Sequence, residues 1–123
     1  MNVFFEDDGQ LRAGSILADN DTSLQVETTT GKRVKVKAAA VLLRFAAPAA
    51  SLLQTQAHDL TATLDVDFLW EVSPDDEFGY AELAAEYFGH APSPVEGAAV
   101  ALALAAAPMY FYKRGKGRYR KAP

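Results

Sequence analysis

The spacing of apolar residues changes twice along this chain, and the first change divides it. Over the first 45 residues the apolar runs are short: Val3-Phe4-Phe5, Leu11 to Ala18, Ser23 to Thr28, Arg33 to Lys37 and Val41 to Phe45, broken by Asp7-Asp8-Gly9, Asp19-Asn20-Asp21 and Gly31. Runs of that length between turn residues predict five strands. Leu24 and Val26, and then Val34 and Val36, alternate with polar residues across the Gly31 turn, so this hairpin turns one face to a core and one to solvent. The meander predicts a small SH3-like β-barrel over residues 1–46.

Ala46-Ala47-Pro48 ends the strand region, and beyond it the spacing is helical. Leu53, Ala57, Leu60 and Leu64 form one stripe on a helix from about 49 to 64. Asp65 can cap a short second segment carrying Val66, Phe68, Leu69 and Trp70. Tyr80, Leu83, Ala84, Tyr87 and Phe88 follow the i, i+3, i+4, i+7, i+8 pattern, and Gly89 supplies the stop. Ser93-Pro94-Val95-Glu96 is a capping box with proline at the first helical position, predicting a further helix to about Ala107 before Pro108. Gly97 is the weak helix former in its first turn. Residues 109–120 read as a strand pair turning near Arg114-Gly115-Lys116-Gly117. The expected fold class is therefore α+β, with a helical winged-helix domain over residues 47–123 that ends in a basic β-hairpin.

Composition narrows the chemistry. Half the residues are apolar and 23% charged, the range of a globular domain. With no cysteine, neither a disulfide framework nor a thiolate metal site is possible, and a reducing compartment fits. His58 and His90 lack zinc-motif spacing and read as solvent-facing or structural. Met1 to Asp8 is acidic and alternating where a signal peptide would be basic and then apolar, so cytoplasm is the expected location. The most apolar stretch, Val95 to Ala107, is far shorter than the ~20 residues that cross a bilayer, so no membrane partner is expected.

Ser15, Ser23, Ser51, Ser73 and Ser93 have no glycine elbow, and no Gly-rich loop follows a strand in the phosphate-cradling pattern. Asp75-Asp76-Glu77 are consecutive, a poor arrangement for converging on one ion, and read as a complement to the following helix dipole. Trp70, Tyr80, Tyr87 and Phe88 have the spacing of core residues. No catalytic residue, metal ligand or cofactor is assigned.

Charge is distributed unevenly. Residues 1–45 hold six acids and six bases, residues 46–108 hold ten acids and no Lys or Arg, and residues 109–123 hold six bases, three tyrosines and no acid, on a chain of net charge −4. A cationic hairpin interleaved with rings offers charge for a phosphate backbone and flat faces for bases. The candidate nucleic-acid-binding residues are Lys113, Arg114, Lys116, Arg118, Arg120 and Lys121 on phosphates, and Tyr110, Tyr112 or Tyr119 for stacking. In a two-stranded wing Tyr110 and Tyr112 share a face, opposed to Met109, Phe111 and Lys113. Lys35 and Lys37, on the strand face opposite Val34 and Val36, join Lys32 and Arg33 in a second basic group. Val95 to Ala107 carries only Glu96 as a charge and has nothing to read bases with, so specific duplex DNA is disfavoured and single-stranded RNA is the expected partner. The alternative is a docking module, in which the uncompensated acids of 46–108 and the basic tail meet a protein surface.

End to end the chain resembles the N-terminal region of proteobacterial ribonuclease II family proteins. The resemblance rests on Asp19-Asn20-Asp21-Thr22-Ser23-Leu24-Gln25-Val26-Glu27, Asp67-Phe68-Leu69-Trp70-Glu71, Glu77-Phe78-Gly79-Tyr80-Ala81-Glu82-Leu83-Ala84-Ala85-Glu86-Tyr87-Phe88-Gly89 and Ala107-Pro108-Met109-Tyr110-Phe111-Tyr112. It implies a 3′ to 5′ exoribonuclease parent in which RNA-binding domains precede an RNB catalytic domain whose clustered aspartates hold magnesium. None of the RNB carboxylate motifs occurs in these 123 residues, so no catalytic residue is carried over. The implied role is substrate recruitment, the implied partners are RNA and the parent's RNB domain, and the magnesium is expected in that absent domain.

Overall fold

A computed structural model describes all 123 residues. The fold is α+β, with four helices, an antiparallel five-stranded sheet and a smaller antiparallel three-stranded sheet. The chain separates into two compact units, Met1–Thr55 and Gln56–Pro123. The division falls within a helix. In the first unit the Gln54 side-chain carbonyl accepts from the Ala13 N–H at 2.7 Å and ties the helix start to the sheet.

In the first unit β1 (Asn2–Asp7), β2 (Gln10–Asp19), β3 (Ser23–Thr28), β4 (Arg33–Lys37) and β5 (Val41–Phe45) match the five predicted strands. A single 3-10 turn, Ala38–Ala40, separates the last two. The sheet order is β4-β3-β2-β1-β5, so β4 and β5 are edges and no closed barrel forms. Asp8, Gly9, Asp21 and Gly31 take positive φ at the turns, which is why Asp and Gly occur there. Val3, Phe5, Leu24, Val26, Val36 and Ala40 make one core. Phe4 and Ala13, directly opposite each other across β1 and β2, are also buried. At Gly14 the strands approach so closely that a Cβ would lie 2.5 Å from Val26 Cγ1 and 2.7 Å from the Glu27 carbonyl oxygen.

α1 (Ala50–Thr61) stops short of the predicted residue 64 because the Thr63 hydroxyl donates to the Leu60 carbonyl at 2.7 Å and turns the chain. In the second unit α2 (Val66–Val72) is capped by Asp65, whose carboxylate accepts from the Phe68 N–H. A two-residue strand that the apolar spacing does not predict, β6 (Phe78–Gly79), precedes α3 (Tyr80–Phe88), which ends on Gly89 at φ 76. α4 (Pro94–Ala105) carries both halves of its capping box, Ser93 and Glu96. It is buried on nearly every side, and a Cβ added at Gly97 would sit 3.4 Å from the Tyr80 ring.

β7 (Phe111–Gly115) and β8 (Arg118–Lys121) form the predicted hairpin, and β6 joins it in the order β6-β8-β7. Phe78 and Phe111 meet edge to face at 6.3 Å between ring centres beneath this sheet. Of the four rings expected in the core, Tyr80 is buried while Trp70, Tyr87 and Phe88 are half-buried. No helix is long and apolar enough to cross a membrane.

Candidate functional site

Strand pairing decides which of the candidate residues point outward. Tyr112 lies opposite Arg120 and Lys113 opposite Tyr119, with an irregularity between Lys113 and Gly115. Phe111 and Tyr119 face inward: Tyr119 is only 4% exposed, so it packs the hairpin onto β6 and offers no ring to a base, which corrects its assignment as a stacking residue. Tyr112 is 51% exposed.

The six tail cations differ in their surroundings. Arg118 Nε lies 2.6 Å from Glu77 Oε2, and Arg114 Nε lies 3.9 Å from Glu77 Oε1. Glu82 adds a contact to Arg118 at 4.0 Å. Lys121 Nζ sits 3.4 Å from Asp75 and 4.5 Å above the centre of the Trp70 ring. Lys113 is exposed on β7, and Lys116 and Arg120 are exposed without an ion pair. The acids of 75–77 thus have a second role beside any dipole complement, since Glu77 and Asp75 neutralise the hairpin. The bond from Arg118 holds the Glu77 carboxyl below the usual carboxylate range, and the same bond raises Arg118.

Two open grooves flank the half-buried Trp70. Its indole N–H donates to the Ala122 carbonyl at 2.6 Å, and the Ala122 N–H donates to the Tyr110 carbonyl at 2.8 Å, fixing the chain end beside α2. One groove, about 610 Å³, is basic and aromatic: Tyr112, Arg114, Arg120 and Lys121 line it with Trp70 and Asp75. The other, about 530 Å³, is acidic and apolar, with Asp67, Glu71, Met109 and Tyr110 around Trp70. Tyr110 and Tyr112 are both exposed, but they line different grooves rather than one shared face. The neighbouring Asp67 carboxylate disfavours the Tyr110 phenolate, so the Tyr110 pKa is raised.

In the first unit Arg33, Lys35 and Lys37 alternate with Val34 and Val36 on the edge strand β4, opposite Glu27, Gln25 and Ser23 respectively, and are exposed. His90 Nε2 lies 3.0 and 3.1 Å from the two Glu96 carboxylate oxygens, and His58 is exposed on α1. No group of three or more His, Cys, Asp or Glu is placed to hold a metal ion. The features missed from sequence are β6, the Glu77 bridge and the acidic groove.

No family model matches the chain, and no curated protein or solved structure is significantly similar to it.

Proposed function

We propose that this chain binds single-stranded RNA as the substrate-recruiting, non-catalytic front end of a ribonuclease II family exoribonuclease. The observation that carries the reading is the basic groove, in which Arg114, Arg120 and Lys121 surround two rings, Tyr112 and Trp70, with Asp75 as the acid among them. Cations beside exposed rings suit a flexible strand, because phosphates take the charge while unstacked bases take the ring faces at about 1–3 kcal/mol each.

Architecture supports the same reading. The order α2, β6, α3, α4, β7, β8 with sheet order β6-β8-β7 is the order a winged helix would have, its wing being the basic hairpin. In the first unit a 3-10 turn before β5, and the return of β5 to β1, are features an SH3-like arrangement left open at its edges would have. α4, in the recognition-helix position, is buried and carries Glu96 at its start, so contact through the wing is favoured over reading of duplex DNA. Lys35 and Lys37 on β4 would add phosphate contacts. The natural recipient of the recruited strand is an RNB catalytic domain, which would hold the magnesium in a cytoplasmic enzyme; this chain needs no cofactor of its own.

The test is a fluorescence-anisotropy titration with a labelled single-stranded RNA of ~12 nucleotides at two salt concentrations, with duplex DNA as control. Salt-dependent binding that favours RNA, weakened by Arg120→Ala and Tyr112→Ala, is expected. No RNA binding at low salt would overturn the reading and leave the hairpin as a docking surface for the catalytic domain or another protein.

A further inference from the structure

We infer that the acidic groove formed by Asp67, Trp70, Glu71, Met109 and Tyr110 receives an arginine side chain of a partner protein, presented next to an aliphatic residue. Asp67 and Glu71 are four residues apart on α2, which puts both carboxylates on one helical face, with Trp70 beside them. Both are exposed, and neither has an ion pair, in contrast to Asp75, Glu77 and Glu82, each of which meets a hairpin cation. No Lys or Arg lines the groove.

The rest of the lining fixes the class of occupant. Met109 is 87% exposed in the turn that follows Pro108, an apolar and adaptable side chain standing at the groove with no covering element. Tyr110, 41% exposed, presents a ring beside the carboxylates. A volume of about 530 Å³ accommodates one long side chain and part of its neighbour. Two carboxylates beside aromatic rings match a guanidinium, which is planar, donates in a fork to carboxylate and stacks on ring faces. The same charges repel phosphate, so RNA is excluded here whatever the basic groove binds. Trp70 already accepts the Lys121 ammonium at 4.5 Å within the chain, so its ring is electrostatically suited to a cation. The inference therefore stands independently of RNA binding.

Trp70 is the sole tryptophan of the chain, so intrinsic fluorescence reports occupancy of this groove directly. The experiment titrates the full chain with the blocked peptide Gly-Leu-Arg-Leu-Gly and with counterparts carrying Glu or Lys in place of Arg. Saturable binding of the Arg peptide in the millimolar range or tighter is expected, at least about fivefold stronger than that of the Glu peptide, as one exposed ion pair and one cation–ring contact allow. Glu71→Gln and Met109→Ala each weaken it about threefold or more, whereas Arg120→Ala leaves it unchanged. Both substituted side chains are exposed, so circular dichroism is expected to stay native, and if one variant is perturbed the other decides. Equal binding of Arg and Glu peptides, equal binding of Arg and Lys peptides, absence of saturation, or full affinity in both variants would overturn the assignment.

Discussion

Glu77 stands where a phosphate would stand if RNA lay along the hairpin, and replacing it by glutamine tests whether the hairpin binds RNA at all. Its two oxygens face Arg118 at 2.6 Å and Arg114 at 3.9 Å. Glu77→Gln keeps the shape, removes the charge and leaves both guanidinium groups available. For single strands, log K falls with log salt at about 0.7 per phosphate contact, so one or two added contacts steepen the slope by about 0.7 to about 1.4. Between about 50 and about 200 mM salt the variant then loses about threefold to sevenfold more affinity than the parent chain does, starting from tighter binding at low salt. Arg120 has no ion pair to give up, so Arg120→Ala flattens the slope by about 0.7. Anisotropy titrations at four salt concentrations read all three slopes, with urea unfolding as a check that each variant is native. A Glu77→Gln slope equal to or shallower than that of the parent would refute the reasoning, because the arginines would then not be phosphate ligands held back by Glu77.

Further predictions concern the supports of this site. Asp19, Glu77 and Glu96 are each held below the ordinary carboxylate value, first by the backbone N–H of Asp21, the Arg118 side chain and the backbone N–H of Ser93 respectively. A depressed folded value stabilises above the unfolded pKa and is lost as pH falls through the folded one, so the urea midpoint should hold between about pH 7 and 5 and drop below about pH 4. A midpoint that rises on acidification would contradict this, and Glu96→Gln should remove part of the drop. Gly97→Val should cost about 1–3 kcal/mol by crowding the Tyr80 ring, while Gly97→Ala, whose Cβ at 3.4 Å needs only a small shift, should be close to neutral by urea denaturation. Gly14→Ala is expected to destabilise despite its small size, because at 2.5 Å from Val26 and 2.7 Å from the Glu27 carbonyl the strands must part, and a lowered thermal midpoint measures it. Trp70→Phe removes the donor to the Ala122 carbonyl and should cost about 1 kcal/mol, with faster hydrogen exchange at the Ala122 N–H.

Local chemistry explains what could be read in advance. All five strands of the first unit, the Asp65 cap, the Ser93 and Glu96 capping box and the left-handed Gly89 lie where apolar spacing and capping residues put them, because each is decided by neighbours within a few positions. The candidate site was legible only as a segment. Alternation separates Tyr110 and Tyr112 from Phe111, which is the buried one, but the inward turn of Tyr119 depends on its pairing with Phe78 across the sheet. Likewise the pairing of Arg118 with Glu77 joins residues 41 positions apart, a relation that no local pattern holds. Six tail cations in sequence therefore overstate the free charge of the folded hairpin. The Gln54 bond to Ala13 was hidden for the same reason.

The pairing of β6 with β8 also bears on how the molecule is made. Phe78 emerges from synthesis long before Tyr119, its partner across the sheet, and both α3 and α4 are translated in between. At about 5–20 residues per second the intervening stretch takes about 2–8 s. Until β7 and β8 arrive the nascent chain lacks Phe111, the ring partner of Phe78, and the arginines that meet Glu77, so this part of the unit is completed only with the hairpin.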